Sequence, residues 1–253
     1  VHAWKVCWNL GSADPELIAD LRKSNRLQVE YGGRSVDWLC PSHPSNISME
    51  LAAIGELAAK PGLKGVHLDY VRFPSGRACV CENCRREYEQ WNGRKVRDWP
   101  SAVISGGDRE SFLTWRCAHI TAFVKSARDL VKRVNPEVEL SAAVYMNVEN
   151  ARNLGQDWPA WVRGGLLDFV CPMNYTESTE SFRELLRGQR GLAGRRLVSG
   201  IGVTASESRL SPEQVIEQIR ALDDAGLKGF ILFDLNRTLQ YETLPLLRLG
   251  ITR

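Results

Sequence analysis

Within Gly65-Val66-His67-Leu68-Asp69-Tyr70-Val71-Arg72-Phe73-Pro74, a short apolar run carries a histidine, an aspartate, a tyrosine and an arginine into a proline turn. Val66, Leu68 and Tyr70 alternate with His67, Asp69 and Val71, so a strand here sends His67 and Asp69 to one side together. A carboxylate on an inward face carries a desolvation penalty unless something pairs or uses it. At the C-terminal end of a strand most of that penalty disappears, because parallel barrels and sheets open there into a solvated cleft. The run therefore marks Asp69 as the first candidate for acid-base or nucleophilic chemistry. A structural role, pairing with Arg72 or capping a loop, is the alternative.

A second cluster follows at once, Cys79-Val80-Cys81-Glu82-Asn83-Cys84. Soft thiolates at this spacing suit tetrahedral zinc, which needs a fourth ligand, and Cys40 in Trp38-Leu39-Cys40-Pro41 can supply it. A closed four-thiolate site would hold loop geometry and leave no open position for water. A disulfide among these cysteines, or simple free thiols, are the other readings. Cys7, Cys117 and Cys171 lie in apolar patterns and read as small buried hydrophobes.

The elements that must position these groups alternate along the chain. Strand patterns cover 2–9, 64–70, 138–146, 167–173, 196–203 and 228–234, with a hairpin between Leu27 and Leu39 turning at Gly32-Gly33. Asp14-Pro15 and Ser45-Asn46 open helices, and Asp108 opens the longest, which ends at Asn135-Pro136. Ser211-Pro212-Glu213-Gln214 is a capping-box start. Alternating strands and helices call for a parallel sheet with covered faces. No GxGxxG or GxxxxGK[ST] loop occurs, as an open doubly wound sheet would normally carry. The expectation is one α/β domain over residues 1–253, a (β/α)8 TIM-type barrel. About seven strands can be counted, so the first strand of the barrel is expected upstream of Val1.

In that architecture the useful residues are polar or aromatic and sit just past each strand. They are Trp8 and Asn9, then His67, Asp69, Tyr70 and Arg72, then Asn147 and Glu149, then Asn174 and Tyr175, and finally Asp234. Carboxylates mixed with amides and flat aromatic faces make the composition of a carbohydrate cleft, where amides read hydroxyls and rings stack on the sugar.

The chain has 253 residues, 43% of them hydrophobic and 25% charged, enough for a substantial core. Its formal charge of +3, from 33 basic and 30 acidic residues well mixed in sequence, gives no footprint for nucleic acid or an anionic membrane. The basic run from Arg183 to Arg196 reads as a solvated helix face and loop. No apolar run approaches the ~18 residues of a membrane span. No signal-peptide pattern is present, and a chain opening at Val1 is expected to have been processed or trimmed. Four histidines without an HxH pair argue against a metal-dependent hydrolase.

HLDYVRFP, with the upstream HAWKVCWN, the phrase QDWPAWVRGGLLDFVCPMNY (Gln156 to Tyr175) and GFILFDLN (Gly229 to Asn236), resembles glycosyl-hydrolase-like family 10, a family of bacterial TIM-barrel proteins. The likeness runs in order along nearly the whole chain. It implies a barrel fold, glycoside hydrolysis, a carbohydrate substrate and export to the periplasm or beyond. Asp69 aligns with the prominent acid of the family's DGIHxDxYxYP pattern, whereas Lys64 stands where that pattern has its first Asp. The run CVCENCRREYEQW is similar to the cysteine cluster of some family 42 β-galactosidases, which implies a structural zinc.

Glycoside hydrolysis uses two carboxyl groups, one to protonate the leaving oxygen and one to attack or to activate water. With Asp69 as the first, Glu149 or Asp234 is expected as the second. His67 is expected either to act on Asp69 as a charged neighbour or to sit in the core. A catalytically silent carbohydrate-binding barrel is the alternative function.

Overall fold

A computed structural model describes residues 1–249, which fall into two compact units. The first comprises Val1–Leu140 with Glu149–Asp157, and the second Ser141–Val148 with the chain from Trp158 onward.

Among the described residues the first unit contains β1 (His2–Val6), β2 (Leu27–Val29), β3 (Ser35–Leu39) and β4 (Gly65–Asp69). β1 and β4 pair in parallel, with Trp4 opposite His67, Lys5 opposite Leu68 and Val6 opposite Asp69. The alternation read from the sequence sorts the two faces. Val66 and Leu68 are fully buried, while His67 and Asp69 share the other, partly open face. On β1, Lys5 lies on the covered face and pairs with Glu50 of the helix Pro44–Ala58. Trp4 lies on the open face and is 61% exposed.

β2 and β3 form the expected antiparallel hairpin, turning where Gly33 adopts a φ of 81° that side chains disfavour. The long helix spans Arg109–Val134 and buries Phe112, Trp115, Ile120, Phe123, Val124, Ala127 and Val131. Each large apolar side chain withdrawn in this way is worth about 1.5–3 kcal/mol. It packs on the helix Pro44–Ala58, where a methyl group placed on Gly55 would stand 3.4 Å from Leu130. One helix, Glu82–Asn92, begins within the cysteine cluster, with Cys81 as its cap and Cys84 in its first turn, a start that the apolar pattern does not signal. Its mean hydropathy is low, and a thiol rather than a conventional cap starts it: Cys81 Sγ accepts from the Cys84 N–H at 3.5 Å.

The second unit holds β5 (Glu139–Tyr145, from Ser141 onward), β6 (Phe169–Met173), β7 (Val198–Gly202) and β8 (Gly229–Phe233). These hydrogen bond in that order and all in parallel. Parallel neighbours require crossovers, and the helices Thr179–Ala193 and Pro212–Asp224 supply two of them. The second of these begins with the predicted capping box, Ser211 and Gln214 satisfying each other's backbone N–H. Gly202 lacks a side chain for a spatial reason, since a Cβ there would come within 2.8 Å of the Tyr175 ring.

The six parallel strands fall within the six segments marked in the sequence. A complete (β/α)8 barrel has eight, so the described residues hold fewer than the full set. β1 stops at Val6 instead of Asn9 because Trp8 enters the left-handed region at φ 62° and leaves the ladder. No helix among the described residues is long and apolar enough to cross a membrane.

Candidate active site and cysteine centre

Asp69 closes β4, and both of its carboxylate oxygens are engaged by N–H donors. Trp4 Nε1 donates to Oδ2 at 3.0 Å, and the Tyr70 backbone N–H donates to Oδ1 at 2.7 Å. The carboxylate is thereby aimed and held as an acceptor. Trp4 reaches it because β1 and β4 are in register, with Trp4 opposite His67, two residues before Asp69, on the shared open face. Tyr70 itself has φ 55°, a costly conformation for a residue with a side chain, and Arg72 N–H turns back to the Tyr70 carbonyl at 2.7 Å. The neighbouring strand leaves the sheet in the same way, through Trp8 and a 2.7 Å bond from Asn9 N–H to the Cys7 carbonyl. Strain of this kind at two adjacent strand ends is a mark of functional sites.

Around this point stand Trp38 and Tyr70, edge to face with centroids 5.5 Å apart, and the Arg72 guanidinium lies 5.2 Å from each ring. Trp38 and Trp4 did not stand out in the sequence. Trp38 arrives through the hairpin, because β3 bridges to Asn9. The signal for Trp4 was its place on the alternate face of the strand, the same periodicity that singled out Asp69.

The remaining candidates differ in their surroundings. His67 shares the Asp69 face, and burial pulls its pKa down to about 4 against a smaller upward pull from Asp69. It is therefore neutral near pH 7, which favours the core-histidine reading over that of a charged neighbour. Trp8 is fully buried against Phe123, at 4.6 Å between centroids, so no face of it is open to a sugar. Asn9 is tied into a turn by the Gly11 N–H at 2.8 Å. Glu149 is exposed on the short helix Val148–Asn153 and belongs to the same unit as Asp69.

In the second unit Asn147 is exposed, and Tyr175 stacks on Phe233 with centroids 5.6 Å apart. Asn174 is fully buried. Its amide donates to Gln189 at 2.8 Å and to Ser199 at 2.9 Å, while Gln189 donates back to it and to the Met146 carbonyl. Those bonds occupy the group in the core instead of leaving it to read a substrate hydroxyl. Asp234 accepts from Thr204 at 2.6 Å and from Asn236 at 3.0 Å, the pattern of a loop-fixing carboxylate.

Cys40, Cys79, Cys81 and Cys84 are all buried, and their sulfur atoms lie within 4.8 Å of one another. Cys40 is 3.6 Å from Cys81 and 3.5 Å from Cys84, far beyond a bonded S–S distance of about 2.05 Å. None of the seven cysteines is in a disulfide. Sulfur ligands at about 2.3 Å from a tetrahedral ion stand about 3.8 Å apart, close to these spacings. Thiol donors from the other three cysteines, with the Cys84 N–H at a helix start, hold the Cys81 thiol well below its usual range. Cys79 and Cys81 push Cys40 well above it, and Cys40, Cys79 and Cys81 do the same to Cys84. This donor set can hold a soft divalent metal ion.

The sequence profile described as Glycosyl hydrolase-like 10 matches residues 9–190. The fold matches the glycoside hydrolase domain of PgaB (BpsB) from Bordetella bronchiseptica with a TM-score of 0.78 at 15% identity, over 98% of this chain and 74% of that one. It also matches the β-galactosidase of Bacillus circulans sp. alkalophilus, at TM-score 0.63 and 16% identity, over 92% of this chain and 41% of that one. A third match is the polyextremophilic β-galactosidase of the haloarchaeon Halorubrum lacusprofundi, at 0.68 and 10% identity, over 96% and 44%. The chain thus spans under half the length of these galactosidases. No curated protein matches the sequence. The fold class is the α/β, TIM-barrel type of the glycoside hydrolases. The chain belongs to the glycosyl hydrolase-like 10 family.

Proposed function

We propose that this protein hydrolyses a glycosidic bond in an oligo- or polysaccharide, with Asp69 as one of two catalytic carboxylates. The observation that carries this reading is the Asp69 carboxylate fixed at a strand end by Trp4 and by the Tyr70 backbone, on the partly open face of its strand. Held between N–H donors, Asp69 fits the partner that attacks the sugar or activates water. Glu149 is the better choice for the acid that protonates the leaving oxygen. It is exposed and lies in the same compact unit, whereas Asp234 is already engaged by Thr204 and Asn236. Trp4, Trp38 and Tyr70 provide flat faces for the C–H surface of a sugar, and Arg72 a donor for its hydroxyls. The family and the glycosidases that share the fold support this reaction class.

The four cysteines bind zinc in this reading, as a closed thiolate centre that stabilises the loop after β4 and takes no part in bond cleavage. Asp69→Asn tests the catalytic assignment. Screened against a panel of oligosaccharides, the wild type releases reducing ends, and the variant loses at least about 100-fold in rate while keeping its fold. Binding without turnover in the wild type would favour a carbohydrate-binding barrel instead.

A further inference from the structure

Arg116 is fully buried on the long helix, a place where an unpaired charge is costly. Among the described residues no carboxylate pairs with it. Its guanidinium donates to three backbone carbonyls, those of Ser75 at 2.8 Å, Gly76 at 3.3 Å and Ala78 at 2.6 Å, and Nε has no partner. It also lies 4.1 Å over the Phe73 ring. These contacts trace the loop that joins Asp69's strand to the first cysteine of the cluster, since Ala78 immediately precedes Cys79. Burial pulls the guanidinium down to about 10, so it stays charged at pH 7, and the groups that act on that charge are Cys84, Cys117 and Cys79.

Two problems of charge thus sit side by side in one unit. A buried arginine lacks an anion, and four thiolates around one divalent ion would carry two net negative charges, while among the described residues no other Lys or Arg is buried. We infer that Arg116 is the built-in counter-ion of the cysteine centre and a positioning residue for the catalytic loop, its charge favouring the metal-thiolate state while its fork clamps Ser75, Gly76 and Ala78. This rests on the metal reading of the cysteines. Its consequence is that metal occupancy and the order of the loop leading from Asp69 are coupled through one side chain.

The test uses full-length wild type, Arg116→Met and Arg116→Lys, each checked for fold by circular dichroism. Zinc content comes from elemental analysis, zinc affinity from competition with a chromophoric chelator, and loop order from the rate of tryptic cleavage at the exposed Arg77. Arg116→Met is expected to bind zinc at least 10-fold more weakly and to be cut faster at Arg77. Arg116→Lys keeps the charge but cannot span three carbonyls, so its affinity should stay within about threefold of wild type while cleavage still accelerates. Wild-type affinity in Arg116→Met, or a loss of about 10-fold or more in Arg116→Lys if the Met variant does not fold, overturns the inference while the zinc reading stands. Wild-type protein that binds no zinc overturns both.

Discussion

Trp4 and Asp69 make a contact between two strands whose worth is set by charge. A hydrogen bond to an ionised carboxylate contributes about 1.5–3 kcal/mol, roughly twice a neutral one. Trp4→Phe removes that donor and keeps the ring, so turnover should fall about 10- to 100-fold with substrate affinity nearly unchanged. Steady-state kinetics on the panel substrate that responds to Asp69→Asn separates kcat from KM and decides it. His67 sets a second expectation. The folded protein holds it neutral down to about pH 4, whereas the unfolded chain protonates it near 6.5. The unfolded state therefore binds the extra proton first, and the stability linked to His67 is complete above pH 6.5 and is lost as pH falls toward 4. The loss is up to about 3 kcal/mol. Urea titrations across this window should show a shallower acid decline in His67→Asn than in wild type, and parallel declines would refute it.

At the scale of elements, the second unit is pinned by a buried amide network between the end of β6, the helix Thr179–Ala193 and β7. Asn174, Gln189 and Ser199 satisfy one another there. Replacing Asn174 with Ala strands the Gln189 and Ser199 polar groups in a buried site, and leaving such groups unpaired costs about 1–3 kcal/mol each. Asn174→Ala should lower stability in urea by about 2–4 kcal/mol and leave the Asp69 hydrogen bonds untouched. A neutral substitution would mean that Asn174 is not structural. In the first unit the corresponding constraint is the cysteine cluster, which draws the β3 end, the loop after β4 and the start of the helix Glu82–Asn92 together.

For the whole molecule, metal binding to the folded state alone stabilises it by mass action, about 2.7 kcal/mol at a hundredfold excess over Kd. Removing zinc with a chelator should lower Tm by several degrees, and readding it should restore the loss. In the proposed reading, where a closed centre takes no part in bond cleavage, activity at temperatures well below the melting transition should fall by less than the Asp69→Asn effect. Calorimetry with and without chelator, paired with the hydrolysis assay, gives the comparison. An immediate and complete loss of activity at unchanged Tm would assign the ion to the chemistry instead.

The sequence by itself determined the strand faces, the six parallel segments, the hairpin turn, the capping box and the cysteine set, since each depends on neighbours within a few residues or on a period of two or 3.6. The place of Asp69 at the end of β4, on the same face as His67, was legible for that reason. Burial was decided by the tertiary structure. Trp8 and Asn174 read as site residues because they follow strands, yet packing against Phe123 and against Gln189 withdrew them from solvent. Trp4 and Trp38 reach the neighbourhood of Asp69 only through register and through the hairpin, and Arg116 meets its loop across about 40 residues of chain. Contacts of that separation depend on how elements pack, which no local spacing encodes.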